Sequence, residues 1–584
     1  MKLGFVKGML LPSILCVWTV GFLPGATAQN QVPSIPADTI YFGGPVLTMN
    51  DQQPTAQAVT VRGGRIISVG TKTNLLKQKG PRTKLVDLKG KTLLPGFIDA
   101  HSHVSTVGLQ AISANLLPPP DGPNSSIAAL QDTLRDFRKE SPNPRKFGLL
   151  LGFGYDDSQL KEQRHPTRDD LDAVATDLPI VLMHQSGHLG ALNSKALELA
   201  GYTAATKDPE GGVIRRRPGS DEPNGVLEEA AFFTALMKLM PRMSEDEAIG
   251  MMEAGQELYL RYGYTTIQDG RSSPEQVLLS QVAASRGRFK ADIVSYPDIT
   301  LKGTPDLMKA PWFQDTTHAP RYRGHFRIGG VKMTLDGSPQ GKTAWLSKPY
   351  FKPPEGLEPT YAGYGVLEDA FVVDAYEQAL RNRWQIITHA NGDRAIDQML
   401  DGIEKAEKAV PEVDVRPVLI HGQTLRRDQV LRLKKLGVFP SLFPMHTYYW
   451  GDWHRTSVLG PQRAENISPT GWVLEQGMRF TSHHDAPVAF PDSIRVLDAT
   501  VNRTTRSGYV LGPRQRVSPL VALKALTLWA AYQHFEEKTK GSIEVGKFAD
   551  FVILSDNPLT MPRNKLITLK VLETIKEDET IYKR

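Results

Sequence analysis

The sequence predicts an α/β protein: a (β/α)8 TIM barrel, a small β-sandwich domain built from both chain ends, and a large insertion after the first barrel strand. Three observations carry this. Strand-like runs alternate with helical ones along most of the chain, which favours a parallel sheet, and eight such units favour a barrel. Short β-branched runs with a Gly-Gly turn occur over residues 38–70, and a related run recurs over 541–554. The interval between the first two strand candidates is far too long for one crossover.

The first 28 residues read as an export signal. Lys2 and Lys7 precede an apolar stretch, Gly8 to Phe22, and Ala26-Thr27-Ala28 is a small-x-small cleavage site. The stretch is short for a membrane span, so a periplasmic protein free of the membrane after cleavage is expected. The single cysteine, Cys16, lies in this leader, which leaves the mature chain without disulfides or thiolate ligands. Residues 37–93 and 541–584 then supply the small β-domain. The barrel is assigned to 94–540, with 104–240 as the inserted subdomain. Its strand candidates are Leu94–Ile98, Tyr264–Gln268, Ala291–Ser295, Ile328–Leu335, Trp384–His389, Pro417–His421, Val438–Leu442 and Arg479–Asp485. Helical patterns such as Ser244–Tyr262, Leu367–Arg383 and Pro519–His534 intervene.

Composition narrows the function classes. The 584 residues are 40% hydrophobic and 23% charged, ordinary for a folded soluble chain with a large core. The net charge of +6 comes from 69 basic and 63 acidic residues with no Lys/Arg block, which gives no support to a nucleic-acid or membrane partner. A homodimer is left open.

Candidate chemistry lies at the predicted strand ends, where barrel active sites form. The first strand runs into His101-Ser102-His103, and alternation points both imidazoles to one side, as a divalent metal requires of two ligands. Lys332 sits in the fourth strand, His389 and His421 end the fifth and sixth, and Asp485 ends the eighth. Each has a plainer reading. The His-x-His pair could be loop polar residues, Lys332 an ion-pair partner of Asp336, His389 or Asp485 a cap, and His421 a satisfied core histidine. Their shared position and order favour one site.

On these residues the chain resembles the amidohydrolase superfamily, in the family 3 branch that includes N-substituted formamide deformylases. The resemblance rests on Pro95-Gly96-Phe97-Ile98-Asp99-Ala100-His101-Ser102-His103, Lys332 with Asp336-Gly337-Ser338, His389-Ala390-Asn391-Gly392-Asp393, Ile420-His421 and Asp485-Ala486-Pro487-Val488. Inside the insertion, His184-Gln185-Ser186-Gly187-His188 and Leu192-Asn193-Ser194-Lys195-Ala196-Leu197 also fit, as does Gly546-Lys547-Phe548-Ala549-Asp550. One departure is Ser482-His483-His484-Asp485, where relatives more often carry Gly-Ser-Asp, so the roles of His483 and His484 are open.

The resemblance implies a metal-dependent hydrolase acting on a non-peptide carbon–nitrogen bond of a small amide-type substrate. His101, His103 and Asp485 would bind one divalent ion. His389 and His421 would bind a second, bridged by a carboxylated Lys332, because a carbamate is an anionic oxygen donor and an ammonium is not. Zinc is the default for such ligands, with one or two ions open. Metal-activated hydroxide would attack the carbonyl while Asp485 moves the proton; Lys332 and His421 complete the catalytic set. Expected substrate contacts are Tyr155, Asp156, His184, His188, Asp336 and His446, the last in an aromatic cluster with Tyr448, Tyr449 and Trp450. An esterase or lactonase would use the same site, and a non-catalytic exported binding protein is the remaining alternative.

Overall fold

The computed structural model describes residues 36–240, 243–310, 321–354, 356–411 and 413–584; the predicted leader lies outside them. No described helix is long and apolar enough to cross a membrane.

Both chain ends meet in one mixed eight-stranded sheet. Thr39–Leu47, Thr55–Arg62, Arg65–Gly70, Lys84–Asp87 and Thr92–Pro95 join Phe551–Leu554, Val571–Lys576 and Glu579–Lys583. Gly63 and Gly64 lie at φ +54° and +71°, the left-handed pair that a tight hairpin turn between Arg62 and Arg65 requires. Thr92–Pro95 pairs antiparallel with Phe551–Leu554, Pro95 opposite Phe551. Tyr41, Val59, Val61, Leu93, Phe551 and Ile553 fill the core of this unit.

The run Leu94–Ile98, expected as one strand, is divided. Pro95 ends the strand in the chain-end sheet, and Gly96 donates to the Asp550 carbonyl at 2.9 Å. A Cβ on Gly96 would stand 2.4 Å from Thr265 Oγ1, so only glycine lets the chain cross there. Phe97–Ile98 then pairs in parallel with Tyr264–Ser272.

The remaining predicted strands also form parallel ladders, except that Ile328–Leu335 is divided at Gly329: Ile328 ends a strand of one sheet and Gly330–Thr334 belongs to the other. One sheet has four strands, Phe326–Ile328, Asp292–Pro297, Tyr264–Ser272 and Phe97–Ile98. The other has five, Gly330–Thr334, Gln385–Ala390, Val418–His421, Phe439–Leu442 and Thr481–Ser482. The fold is therefore α/β with parallel sheets, and its strands bond as two arcs. The arcs meet at both edges: Ile299 N–H donates to the Lys332 carbonyl at 2.9 Å, and Asp485 N–H donates to the His101 carbonyl at 3.1 Å.

Helices cover the outside of the arcs. Glu245–Arg261 begins with a reciprocal Ser244/Glu247 capping box, the signal that marks its start in the sequence. The pattern over Pro519–His534 is broken into Pro519–Ala525 and Leu528–Gln533. The cause is tertiary: the Leu526 carbonyl accepts from Ile98 N–H at 2.9 Å, tying the break to the first parallel strand. At the starts of the strands, buried ion pairs link Arg327 to Glu536 at 2.7 Å and Lys576 to Asp292 and Asp550 at 2.8 and 3.0 Å.

Between residues 104 and 240 a separate six-stranded sheet forms, ordered Gly212–Arg216, Pro223–Glu229, Leu189–Leu192, Ile180–His184, Leu150–Tyr155 and Ala114–Asn115. Phe232 is fully buried on it, and a Cβ on Gly190 would lie 2.1 Å from its ring. Phe232→Ala should therefore destabilise this sheet by about 3–5 kcal/mol, seen as an earlier thermal transition. A transition at the wild-type temperature would show that the packing contributes little.

Candidate metal centre

The predicted strand-end residues converge. His101 and His103 follow Phe97–Ile98; Asp485 follows Thr481–Ser482. His103 Nε2 lies 3.2 Å and His101 Nε2 3.5 Å from Asp485 Oδ1. Lys332 Nζ is 3.1 Å from His101 Nε2, and His421 Nε2 is 3.1 Å from His389 Nδ1 and 3.9 Å from Asp485 Oδ2. Register explains the grouping: Lys332 pairs with Ile387, His389 with Ile420 and Ala390 with His421, so neighbouring strands deliver these side chains to one end. His421 and Asp485 adopt φ of +72° and +57°, left-handed conformations of the kind held at functional sites by surrounding structure.

The donors suit a divalent cation. His101, His103 and Asp485 offer ligand atoms that lie within 4.8 Å of one another. Asp485 Oδ1 is buried without a hydrogen-bond partner, an acceptor left for a cation to satisfy. Gln268 Oε1 lies 2.7 Å from His101 Nδ1, which fixes the proton there and leaves Nε2 its lone pair. Burial holds the imidazoles of His101, His389, His421 and His483 well below their usual range; the Lys332 ammonium adds to this at His101, His389 and His483, and neighbouring imidazoles at His421. Neutral imidazole is the form that ligates. Burial also lowers the Lys332 ammonium to about 7.

A cavity of about 370 Å³ opens onto this cluster and is lined by His103, Lys332, His389, His421 and Asp485. Of the expected substrate contacts, His188 lines it, with Nδ1 3.1 Å from Glu229 Oε2. The other five do not line it. Asp336 accepts from the backbone N–H of Asn391, Gly392 and Trp345 at 2.7–2.9 Å, which fixes the loop beyond His389. His446 pairs with His454 at 3.0 Å in the aromatic cluster. Tyr155 faces His165 at 3.3 Å, and Asp156 accepts from Trp450 Nε1, tying the insertion to the helix Met445–Trp453. His184 sits 3.1 Å from Asp157. Burial works against its charge, but Asp156 and Asp157 outweigh it and raise the imidazole to about 9, so His184 acts as a hydrogen-bond donor.

Several residues with a part here were not singled out from the sequence. Gln268 orients His101, and Asp99 accepts from the backbone N–H of His101 and Gln268 at 3.1 and 3.0 Å. The histidines left open separate. His483 Nε2 is 3.0 Å from His421 Nδ1 and its Nδ1 is 2.9 Å from Ser441 Oγ, whereas His484 turns to Asp99 at 3.4 Å. Only the doubled histidine before Asp485 signalled this.

Comparison with known proteins agrees with the geometry. Residues 84–582 match the sequence model of the amidohydrolase family. An N-substituted formamide deformylase of Arthrobacter pascens is 28% identical over 564 residues, covering 94% of this chain and 98% of that one. An uncharacterized metal-dependent hydrolase of Pyrococcus furiosus superposes with a TM-score of 0.68 at 25% identity, over 89% of this chain and all of that one. A second, from Pyrococcus horikoshii, gives 0.70 at 23% identity over 90% and 99%. With histidine, aspartate and lysine donors gathered at the ends of parallel strands and a family match spanning most of its length, the chain belongs to the amidohydrolase family of metal-dependent hydrolases.

Proposed function

We propose that the protein hydrolyses a non-peptide carbon–nitrogen bond of a small amide-type molecule. The observation that carries this reading is the unpartnered Asp485 Oδ1 facing His101 and His103 on the cavity that also receives Lys332, His389 and His421. The formamide deformylase relative supports an amide as the substrate. The two parallel arcs are read as one closed (β/α)8 ring with the chain-end sheet as a second domain, and the protein as exported.

His101, His103 and Asp485 would hold one cation, and His389 and His421 a second. Bound there, a divalent ion such as zinc supplies Lewis acidity and a lowered pKa for water. The chain's own residues do the rest. Gln268 keeps His101 in the ligating tautomer. Lys332, as the free amine that burial favours, would add to CO₂ and release one proton, turning a neutral amine into an anionic oxygen donor. Asp485 accepts a proton from the attacking water and returns it to the departing nitrogen. Phe153, Met183 and Phe233 give the cavity an apolar surface.

Metal analysis of the purified protein tests this together with a screen of N-formyl, N-acyl and cyclic amides beside matched esters. Close to two divalent ions per chain are expected, with occupancy and amide turnover both lost in His101→Ala. Full activity in chelated, metal-free protein would overturn the reading. A preference for the esters would replace the amide assignment with an esterase or lactonase.

A further inference from the structure

The cavity is asymmetric in a way that the hydrolysis reading does not use. Part of its lining is apolar, with Leu109, Phe153, Met183, Phe233 and Leu236, and with Met237 at the exposed edge. Among the described residues Asp485 is the one acidic side chain lining it, and Arg271 the one arginine. Arg271 stands at the end of the strand Tyr264–Ser272, next to the strand that leads into His101 and His103.

Arg271 is held, and held by one edge. Its Nε donates to Asp298 Oδ2 at 2.8 Å. Asp298 is itself buried, and its other oxygen accepts from Thr300 N–H and Oγ1 at 2.9 and 2.6 Å, so the anchoring carboxylate is fixed in place. The guanidinium carbon lies 5.7 Å from the Phe233 ring centroid, against the apolar wall. The side chain is 39% exposed and, among the described residues, no hydrogen bond is made by either Nη, so the forked end of this anchored cation is open to solvent and to the cavity it lines. A guanidinium fork matches a carboxylate in shape as well as charge, which an ammonium does not.

We propose that Arg271 is the anion-recognition residue of this cavity, and that the substrates are amides carrying a carboxylate, seated on the Arg271 Nη groups, together with an apolar group packed on Phe153, Met183 and Phe233. This rests on the amide-hydrolase reading for the reaction; the recognition itself does not. Arg271 binds and orients; no proton passes through it.

Two arms decide it on the metal-loaded full chain. In the first, kcat/KM is measured for N-(phenylacetyl)glycine and its uncharged partner N-(phenylacetyl)glycinamide. The wild type should favour the carboxylate at least about tenfold, the size of a charge-assisted contact. Arg271→Met should bring the ratio near one, chiefly through KM, and Arg271→Lys, which keeps charge but not the fork, should fall between. In the second arm, calorimetry compares phenylacetate with the neutral ketone phenylacetone: the wild type should bind the acid at least about tenfold more tightly and Arg271→Met should lose that preference, whereas equal binding in the wild type, or an unchanged preference in the variant, overturns the proposal. Circular dichroism and metal content establish that the variants are folded and loaded. A wild-type ratio near one, or a carboxylate preference that persists in Arg271→Met, overturns the proposal, the latter because the metals alone would then be gripping the acid. If neither amide is cleaved, hydrolysis is judged by the wider amide screen, and the calorimetric comparison alone decides the role of Arg271.

Discussion

Asp485→Asn should keep appreciable metal while losing at least about 10²–10⁴-fold in turnover, the range that general acid–base catalysis typically supplies. The substitution is conservative in every respect except the proton. Asparagine retains an oxygen for the place where Asp485 Oδ1 stands 3.2 Å from His103 Nε2. It also tolerates the left-handed backbone at φ +57° better than most residues, so the loop should not be strained by the change. What it cannot do is take up a proton at neutral pH. The deficit should be deepest for amides with poor amine leaving groups, which depend most on protonation as they depart. Metal content and turnover on such an amide, measured on one preparation, settle the matter. Wild-type turnover with full metal would remove Asp485 from proton transfer. His483, 3.0 Å from His421, would then be the next group to test, since His484 faces Asp99 instead.

Lys332→Ala should lose more than about 100-fold in activity, beyond what groups that only support a ligand typically cost. As it stands, Lys332 Nζ lies 3.1 Å from His101 Nε2 and competes for the lone pair that a cation needs. Addition of CO₂ removes that conflict by replacing a positive nitrogen with negative oxygens. The reaction needs the uncharged amine. Burial brings Lys332 to about 7, so the reactive fraction grows as pH rises through neutrality and shrinks below it. Metal reconstitution should accordingly need bicarbonate and improve from about pH 6 to pH 8. In the alanine variant, acetate or propionate should restore part of the activity by occupying the vacated space. Near-normal turnover without added acid would make Lys332 a structural residue.

The α/β class and the strand-end donors were legible because both are local. A parallel strand buried on both faces is a short apolar run, and a polar residue at its end stands out against it. What the sequence concealed depends on partners far along the chain. Nothing near Pro519–His534 foretells that Leu526 must leave the helix to meet Ile98. Pro95-Gly96 looks like a motif, and its second task, passing the chain from one sheet to another beside Thr265, shows only in three dimensions. Gln268 and Arg271 are likewise ordinary polar residues until folding sets one against His101 and brings the other to the lining of the cavity. The expected contacts of Tyr155, Asp156, His184 and His446 drew on clustering of polar and aromatic residues, which here reflects pairing within the insertion, pairing within the helical segment at 445–458 and the Asp156 tie between the two.

The shared sheet also sets an order of events during synthesis. Thr92–Pro95, which leads directly into Phe97 and the first histidines, needs Phe551–Leu554 as its antiparallel neighbour. A nascent chain thus carries His101 and His103 from early on with only Thr39–Leu47 beside the segment before them, and without the second flanking strand. Parallel strands can accumulate behind the ribosome, yet the ligand set stays loosely held until residues near 551 emerge. Competence should then arrive in a single late step rather than grow with length, and a partly made chain should neither retain metal nor turn over substrate.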